Sequence, residues 1–145
     1  MTQSSRRLMI AGFKDLWKKA RNGAYFTKRG PIDWSSYTFE KKARAVSILV
    51  DDTSMMTVDG ITPASMSFEI GAPINEDRSN PEIDDGLLDE LFEDAQLVLE
   101  GIQRLQQPGT QEPVILGMDR NVSVVEWHSA ELKIQGIVVI FNLKF

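Results

Sequence analysis

The sequence predicts a single α+β domain, in which a largely antiparallel sheet of about four to five strands carries its helices mainly on one face. Three observations lead to this class. The chain has 145 residues, of which 42% are hydrophobic, and this suits one domain with its own core. Its elements follow in the order helix, strand, strand, helix, strand, strand, strand, and no internal repeat is visible. Within the domain 1–145, a basic helix and an aromatic-rich loop (1–38) precede an α+β core (39–145).

Residues 8–21 have the period of an amphipathic helix that ends at Asn22 and Gly23. Its apolar stripe consists of Met9, Ile10, Phe13, Leu16, Trp17 and Ala20. Residues 24–36 contain Gly30 and Pro31 and are predicted as a connecting loop. The aromatic rings of this loop are expected to hold it against the core or against a neighbouring protein.

A β-hairpin is predicted over residues 39–50 and 61–70, because Asp59 and Gly60 form a turn signal and the second strand alternates apolar and polar residues. The tip between the strands holds Met55 and Met56 side by side. Exposed methionines are adaptable contact residues, so the tip is a candidate partner site. The alternative is that both methionines fold back onto the domain.

A second amphipathic helix is predicted from Asp84 or Asp85 to about residue 105. Its apolar stripe consists of Leu88, Leu91, Phe92, Ala95, Val98, Leu99, Ile102 and Leu105. Acidic residues crowd its first half, where the helix dipole favours them, and they are predicted to form a solvated face. Three strands are then predicted, at 114–116, 122–127 and 134–145. The last is apolar on both faces at its middle, which predicts a central strand covered on each side.

The charges divide sharply along the chain. Residues 1–44 hold eleven Lys and Arg and three acids, whereas residues 45–145 hold five Lys and Arg and eighteen acids. Such a division can mark a nucleic-acid-binding arm, here residues 6–29, or can let the basic part of one copy contact the acidic part of the next. It can also be a solvated basic helix on an acidic domain. The acidic bulk disfavours a dedicated DNA-binding protein.

The composition disfavours an enzyme. The chain has no Cys and one His, His128, so thiol chemistry, disulfides and any site with two histidine ligands are excluded. No phosphate-binding glycine loop and no nucleophile elbow is present. An enzyme built on paired carboxylates is the remaining catalytic alternative. No catalytic, cofactor-binding or metal-binding residue is predicted. With no signal peptide and no membrane-spanning run, a cytoplasmic protein is expected.

Three segments together resemble the tail terminator proteins of long-tailed bacteriophages. They are the hairpin 43–52 and 60–71, the helix that begins Asp85-Gly86-Leu87-Leu88-Asp89-Glu90-Leu91, and the closing strand Gln135-Gly136-Ile137-Val138-Val139-Ile140-Phe141-Asn142-Leu143. The resemblance is one of layout, covers most of the chain, and extends to related neck and tail-completion proteins. It implies a virion protein without enzymatic activity that forms a hexameric ring. Such a ring caps the tail tube, ends its polymerisation and provides a surface for joining the head.

The resemblance also implies the partners of the chain. These are further copies of itself, the tail tube protein and the head–tail connector or neck proteins, with no cofactor and no membrane. DNA would pass through the ring without sequence-specific binding. The location would be the virion tail or neck, and the host cytoplasm during assembly.

Two sets of contact residues are predicted on this basis. The subunit interface is assigned to basic and acidic side chains of the two helices, namely Lys14, Lys18, Lys19, Arg21, Asp89, Glu90, Glu93 and Asp94. The contact with the tail tube or a neighbouring subunit is assigned to the hairpin tip, namely Asp52, Thr53, Ser54, Met55, Met56 and Thr57.

Overall fold

The computed structural model describes residues 4–39, 42–50, 60–74 and 82–145. These residues form two α-helices, α1 (Ser5–Lys19) and α2 (Asp85–Ile102), and a sheet of six strands. The strands are β1 (Tyr25–Arg29), β2 (Arg44–Val50), β3 (Pro63–Pro73), β4 (Gly117–Met118), β5 (Ser123–Ser129) and β6 (Ile134–Lys144). The α+β class is confirmed, with more strands than predicted.

The sheet is mixed, because β1 runs parallel to β2 while the other neighbouring strands are antiparallel. The order across the sheet is β1–β2–β3–β6–β4, and β5 also pairs with β6. Since β3 occupies one side of β6, both β4 and β5 lie on its other side. The loop prediction for residues 24–36 is wrong at β1. A five-residue strand with one fully buried side chain, that of Tyr25, is too short for its period to be read from the sequence.

Both helices pack on one face of the sheet, which we call the helical face. Phe13 of α1 lies between Phe68 of β3 and Phe141 of β6, with ring centroids 5.3 Å and 5.7 Å away. Trp17 also contacts Phe68, in an edge-to-face arrangement at 5.3 Å. All four side chains are fully buried, so this cluster stabilises the fold by apolar burial and favourable ring geometry.

The two helices contact each other through glycines. A Cβ atom on Gly12 of α1 would lie 2.8 Å from Leu105 Cδ2, and one on Gly101 of α2 would lie 3.0 Å from Leu16 Cδ2. These glycines let the helix backbones approach closely. The contact also shows which side of each helix faces the other. Gly12 and Leu16 lie on the α2-facing side of α1, and Gly101 lies on the α1-facing side of α2.

The helix boundaries agree with capping physics. The Ser4 side chain accepts a hydrogen bond from Arg7 N at the start of α1, and Asp84 accepts one from Leu87 N at the start of α2. α1 ends at Lys19, earlier than predicted, because Arg21, Asn22 and Gly23 all have positive φ. These left-handed residues turn the chain from α1 into β1, and the glycine adopts this conformation at no steric cost.

The opposite face of the sheet, which we call the open face, is covered at one end by aromatic rings. Trp34 and Trp127, 5.2 Å apart, pack on Gly71 and Gly136. Farther along, Ile140 of β6 and Val125 of β5 are 40% and 54% exposed. The prediction that the last strand is covered on both sides is therefore wrong on the open face. β6 is central in the sheet, as predicted, but the helices cover only the other face.

Candidate functional site: the charged surfaces of the helical layer

Four residues form a partly buried ion cluster around Asp94. Arg21 Nε lies 2.9 Å and Arg44 Nη1 lies 3.2 Å from Asp94 Oδ2, and the Tyr25 hydroxyl donates to the same oxygen at 2.5 Å. Arg44 also donates to Glu90. Folding brings these groups together. α1 ends next to α2, and the first residues of β1 and β2 lie beneath α2.

The cluster neutralises charged side chains that were expected, from the sequence, to face solvent or to contact a second copy. Asp94 is only 4% exposed, so it does not belong to a solvated face of α2. Its hydrogen bond raises the pKa of the Arg21 guanidinium, and burial raises the pKa of Tyr25, so the tyrosine stays a neutral donor. Glu93 lies 4.0 Å from Arg21 and remains largely exposed. Arg21 and Arg44 therefore find their acidic partners on α2 of the same chain and not on a second copy.

The basic residues that remain on α1 form a stripe that we call the basic flank: Arg7, Lys14 and Lys18. Their spacing of seven and four residues places them on one side of the helix, nearly opposite Gly12 and Leu16. The flank therefore points away from α2, over the β1 side of the sheet. Within the described ranges, none of these three side chains has an ionic partner within 4 Å.

Two acidic residues, Asp89 and Glu100, lie on the solvent-facing side of α2, about 100–120° around the helix from Gly101, and we call them the acidic flank. Both are exposed and form no ion pair with another described residue. Below them, a groove of about 330 Å³ separates α2 from β5. Phe92, Leu99 and Val124 line it, and Phe92 is 36% exposed rather than buried in the core, contrary to its predicted place on the apolar stripe.

Neither a metal site nor a membrane helix is visible in the described part of the chain. No group of three His, Asp or Glu side chains in this part could hold a metal ion. None of its helices combines the length and apolar character needed to cross a bilayer.

Comparisons with models of known protein families and with curated proteins found no match. The functional assignment therefore depends on the geometry of the chain itself.

The predicted interface residues separate into three groups in the structure. Lys14, Lys18 and Asp89 lie on the two flanks and form no ion pair with another described residue; Lys18 and Asp89 are exposed, and Lys14 is half-buried. Lys19 forms an exposed pair with Asp15 on the same helix, with Nζ and Oδ2 2.9 Å apart. The rest, which contribute to the ion cluster or its rim, are Arg21, Glu90, Glu93 and Asp94.

The hairpin-tip residues Asp52, Thr53, Ser54, Met55, Met56 and Thr57 lie outside the described residues.

Sequence reasoning missed two members of the cluster, Arg44 and Tyr25. Arg44 follows Lys41 and Lys42 in one run of basic residues, so nothing in the local sequence singles out the arginine that pairs with Asp94. The signal is in the tertiary contact, since Arg44 and Asp94 are fifty residues apart in the chain.

Proposed function

We propose that the chain is a structural, non-enzymatic protein whose copies associate head to tail into a closed ring. The observation that supports this best is the position of the two flanks. The basic flank of α1 points away from α2, and the acidic flank of α2 is exposed to solvent, with no ion pair to another described residue in either flank, so the two do not neutralise each other within one copy. A ring needs two different, complementary surfaces on each subunit, and these flanks supply such a pair.

On the resemblance to the tail terminator proteins, we propose that this ring caps a bacteriophage tail tube and stops its growth. The order of hairpin, long amphipathic helix and closing β-hairpin that carries the resemblance is also the order of β2–β3, α2 and β5–β6. The proposed partners are the tail tube protein on one side of the ring and a neck or connector protein on the other. The proposed location is the virion tail.

The test is the oligomeric mass, measured by light scattering at low and moderate salt. Reversing the basic flank (Lys14→Glu with Lys18→Glu) should weaken self-association by about tenfold or more, and so should reversing the acidic flank (Asp89→Lys with Glu100→Lys). Mixing the two variants should restore assembly, because every junction of an alternating ring then joins opposite charges.

A control reverses an exposed basic residue away from both flanks, Lys144→Glu at the end of β6, and should assemble like the parent. A parent that remains monomeric at all protein concentrations would refute the ring. If that monomer instead binds DNA with an affinity that falls steeply with salt, the basic flank is a nucleic-acid surface and the structural proposal is wrong.

A further inference from the structure

The sheet has two edges at which no other described strand pairs. β1 forms its ladder with β2 alone, and β5 forms its ladder with β6 alone. β1 offers five residues and β5 offers seven, and both are largely exposed. Edge strands with unpaired N–H and C=O groups readily add a further strand, so proteins either block such edges or use them for association.

The two edges differ in charge in a way that selects between possible pairings. Lys28 and Arg29 make the β1 edge positive, and Glu126 occupies the centre of β5. A symmetric antiparallel β5–β5 contact would place Glu126 opposite itself, and a β1–β1 contact would bring four positive charges together. Like charges directly opposite each other destabilise a strand pair, whereas opposite charges favour it. Arg29 and Glu126 both lie on the helical face, because they pair in register with the core residues Ile48 and Ile137, so these charges favour β1 with β5.

Each edge also presents an apolar side chain on the same face of the sheet. Phe26 pairs in register with Ala45, and Val125 pairs with Val138, which places both on the open face. Phe26 is 40% exposed, and Val125 is also exposed. Joining the edges with the open faces aligned would bury apolar surface from both copies.

We infer that β1 of one copy pairs with β5 of the next copy in antiparallel orientation, so that the sheet continues from subunit to subunit. The orientation follows from the topology. β1 and β2 point one way, β3 the opposite way, β6 along β1 again, and β5 opposite to β1. If neighbouring copies are related by rotation about an axis parallel to the strands, each strand keeps its direction from copy to copy. β1 of the next copy then lies beside β5 in antiparallel orientation.

This inference rests on the proposed self-association and gives its geometry. α1 contacts β1 and β2, whereas α2 contacts β6. Joining β5 to the next β1 therefore places α2 of one copy beside α1 of the next. The acidic flank with Asp89 and Glu100 then faces the basic flank with Lys14 and Lys18. The sheet edges and the helix flanks belong to one interface.

Disulfide crosslinking tests this contact directly, because the chain has no cysteine of its own. The anchor is Lys28→Cys, an exposed open-face position of β1, with Phe26→Cys as a second anchor. Each anchor is combined with one cysteine on β5, either on the open face (Ser123→Cys or Val125→Cys) or on the helical face (Val124→Cys or Glu126→Cys). The variants are oxidised as assembled protein and analysed without reductant.

Crosslinks between copies are expected at open-face positions of β5 and should be lost at the helical-face positions, because a shift of one residue turns a side chain to the other face. Val125→Cys and Glu126→Cys are the matched pair, since both parent side chains are exposed. The double variant should give a ladder that ends in a covalent ring. A mixture of the single variants Lys28→Cys and Val125→Cys should give dimers only.

The outcomes separate this inference from the proposed ring. If light scattering shows an oligomer but no edge position crosslinks, or if both faces of β5 crosslink equally, the sheet contact is wrong and the ring survives. If crosslinks alternate but the ladder grows without closing, the sheet contact is correct and the ring is refuted. If the parent is monomeric, both proposals fail.

Discussion

Replacing Asp94 by alanine should destabilise the domain severely. The carboxylate is 4% exposed and accepts hydrogen bonds from Arg21, Arg44 and the Tyr25 hydroxyl. Its removal takes away the buried counter-charge of Arg44, whose side chain is only 11% exposed. It also leaves the Tyr25 hydroxyl without an acceptor. Breaking a buried ion pair from one side costs about 3–5 kcal/mol, a large part of the roughly 5–15 kcal/mol that stabilises a typical domain.

Equilibrium urea unfolding measures this loss, and two variants control for it. Glu93→Ala removes an exposed carboxylate of the same helix, 4.0 Å from Arg21, and should cost no more than about 1 kcal/mol. Tyr25→Phe removes one donor and leaves the charges in place, so it should cost about 1.5–3 kcal/mol. If Asp94→Ala costs no more than Glu93→Ala, the cluster does not stabilise the fold and the burial argument is refuted.

Three further predictions concern the core. Leu91→Ala should cost about 2–5 kcal/mol because the side chain is fully buried, whereas Phe92→Ala should cost clearly less because that ring is partly exposed; equal losses in thermal or urea unfolding would contradict this. Gly136→Ala should destabilise by about 1–3 kcal/mol or more, since the new Cβ would overlap the Ile70 carbonyl oxygen, and a melting temperature equal to the parent's would overturn this prediction. Deleting residues 141–145 should abolish cooperative unfolding, because it removes four of the eleven residues of the central strand β6, among them the buried Phe141 and Leu143; a soluble, cooperatively folding product would show that this end of the strand is dispensable.

The long periodic elements were predictable because their signal is local. α2 buries Leu88, Leu91 and Ala95 on one side, which is the pattern that its sequence repeats every three or four residues. β3 alternates buried and half-buried residues from Ala64 to Ile70, as a strand with one fully covered face must. In such elements the burial of each residue follows from its position in the repeat.

The errors fall where burial depends on a partner far away in the chain. Local patterns miss β1 because it pairs in parallel with β2, and residues 30–43 separate the two strands in the chain, so no short-range pattern encodes that contact. Phe92 fits the apolar stripe of α2, yet it lies at the edge of that stripe, beside the groove under Glu100. A helical period gives the direction of a side chain but not the width of the surface that covers it.

Composition and local periodicity are sufficient to predict the α+β class, the two amphipathic helices, the hairpin of β2 and β3 and the lack of any thiol side chain. Which charged side chains are paired and which are not follows from the tertiary contacts. Folding pairs Arg21 and Arg44 with Asp94 inside the domain and leaves Lys14, Lys18 and Asp89 without an ion pair among the described residues. The physical reason is that an ion pair depends on the distance between side chains in space, and folding brings together residues that the linear charge division places far apart.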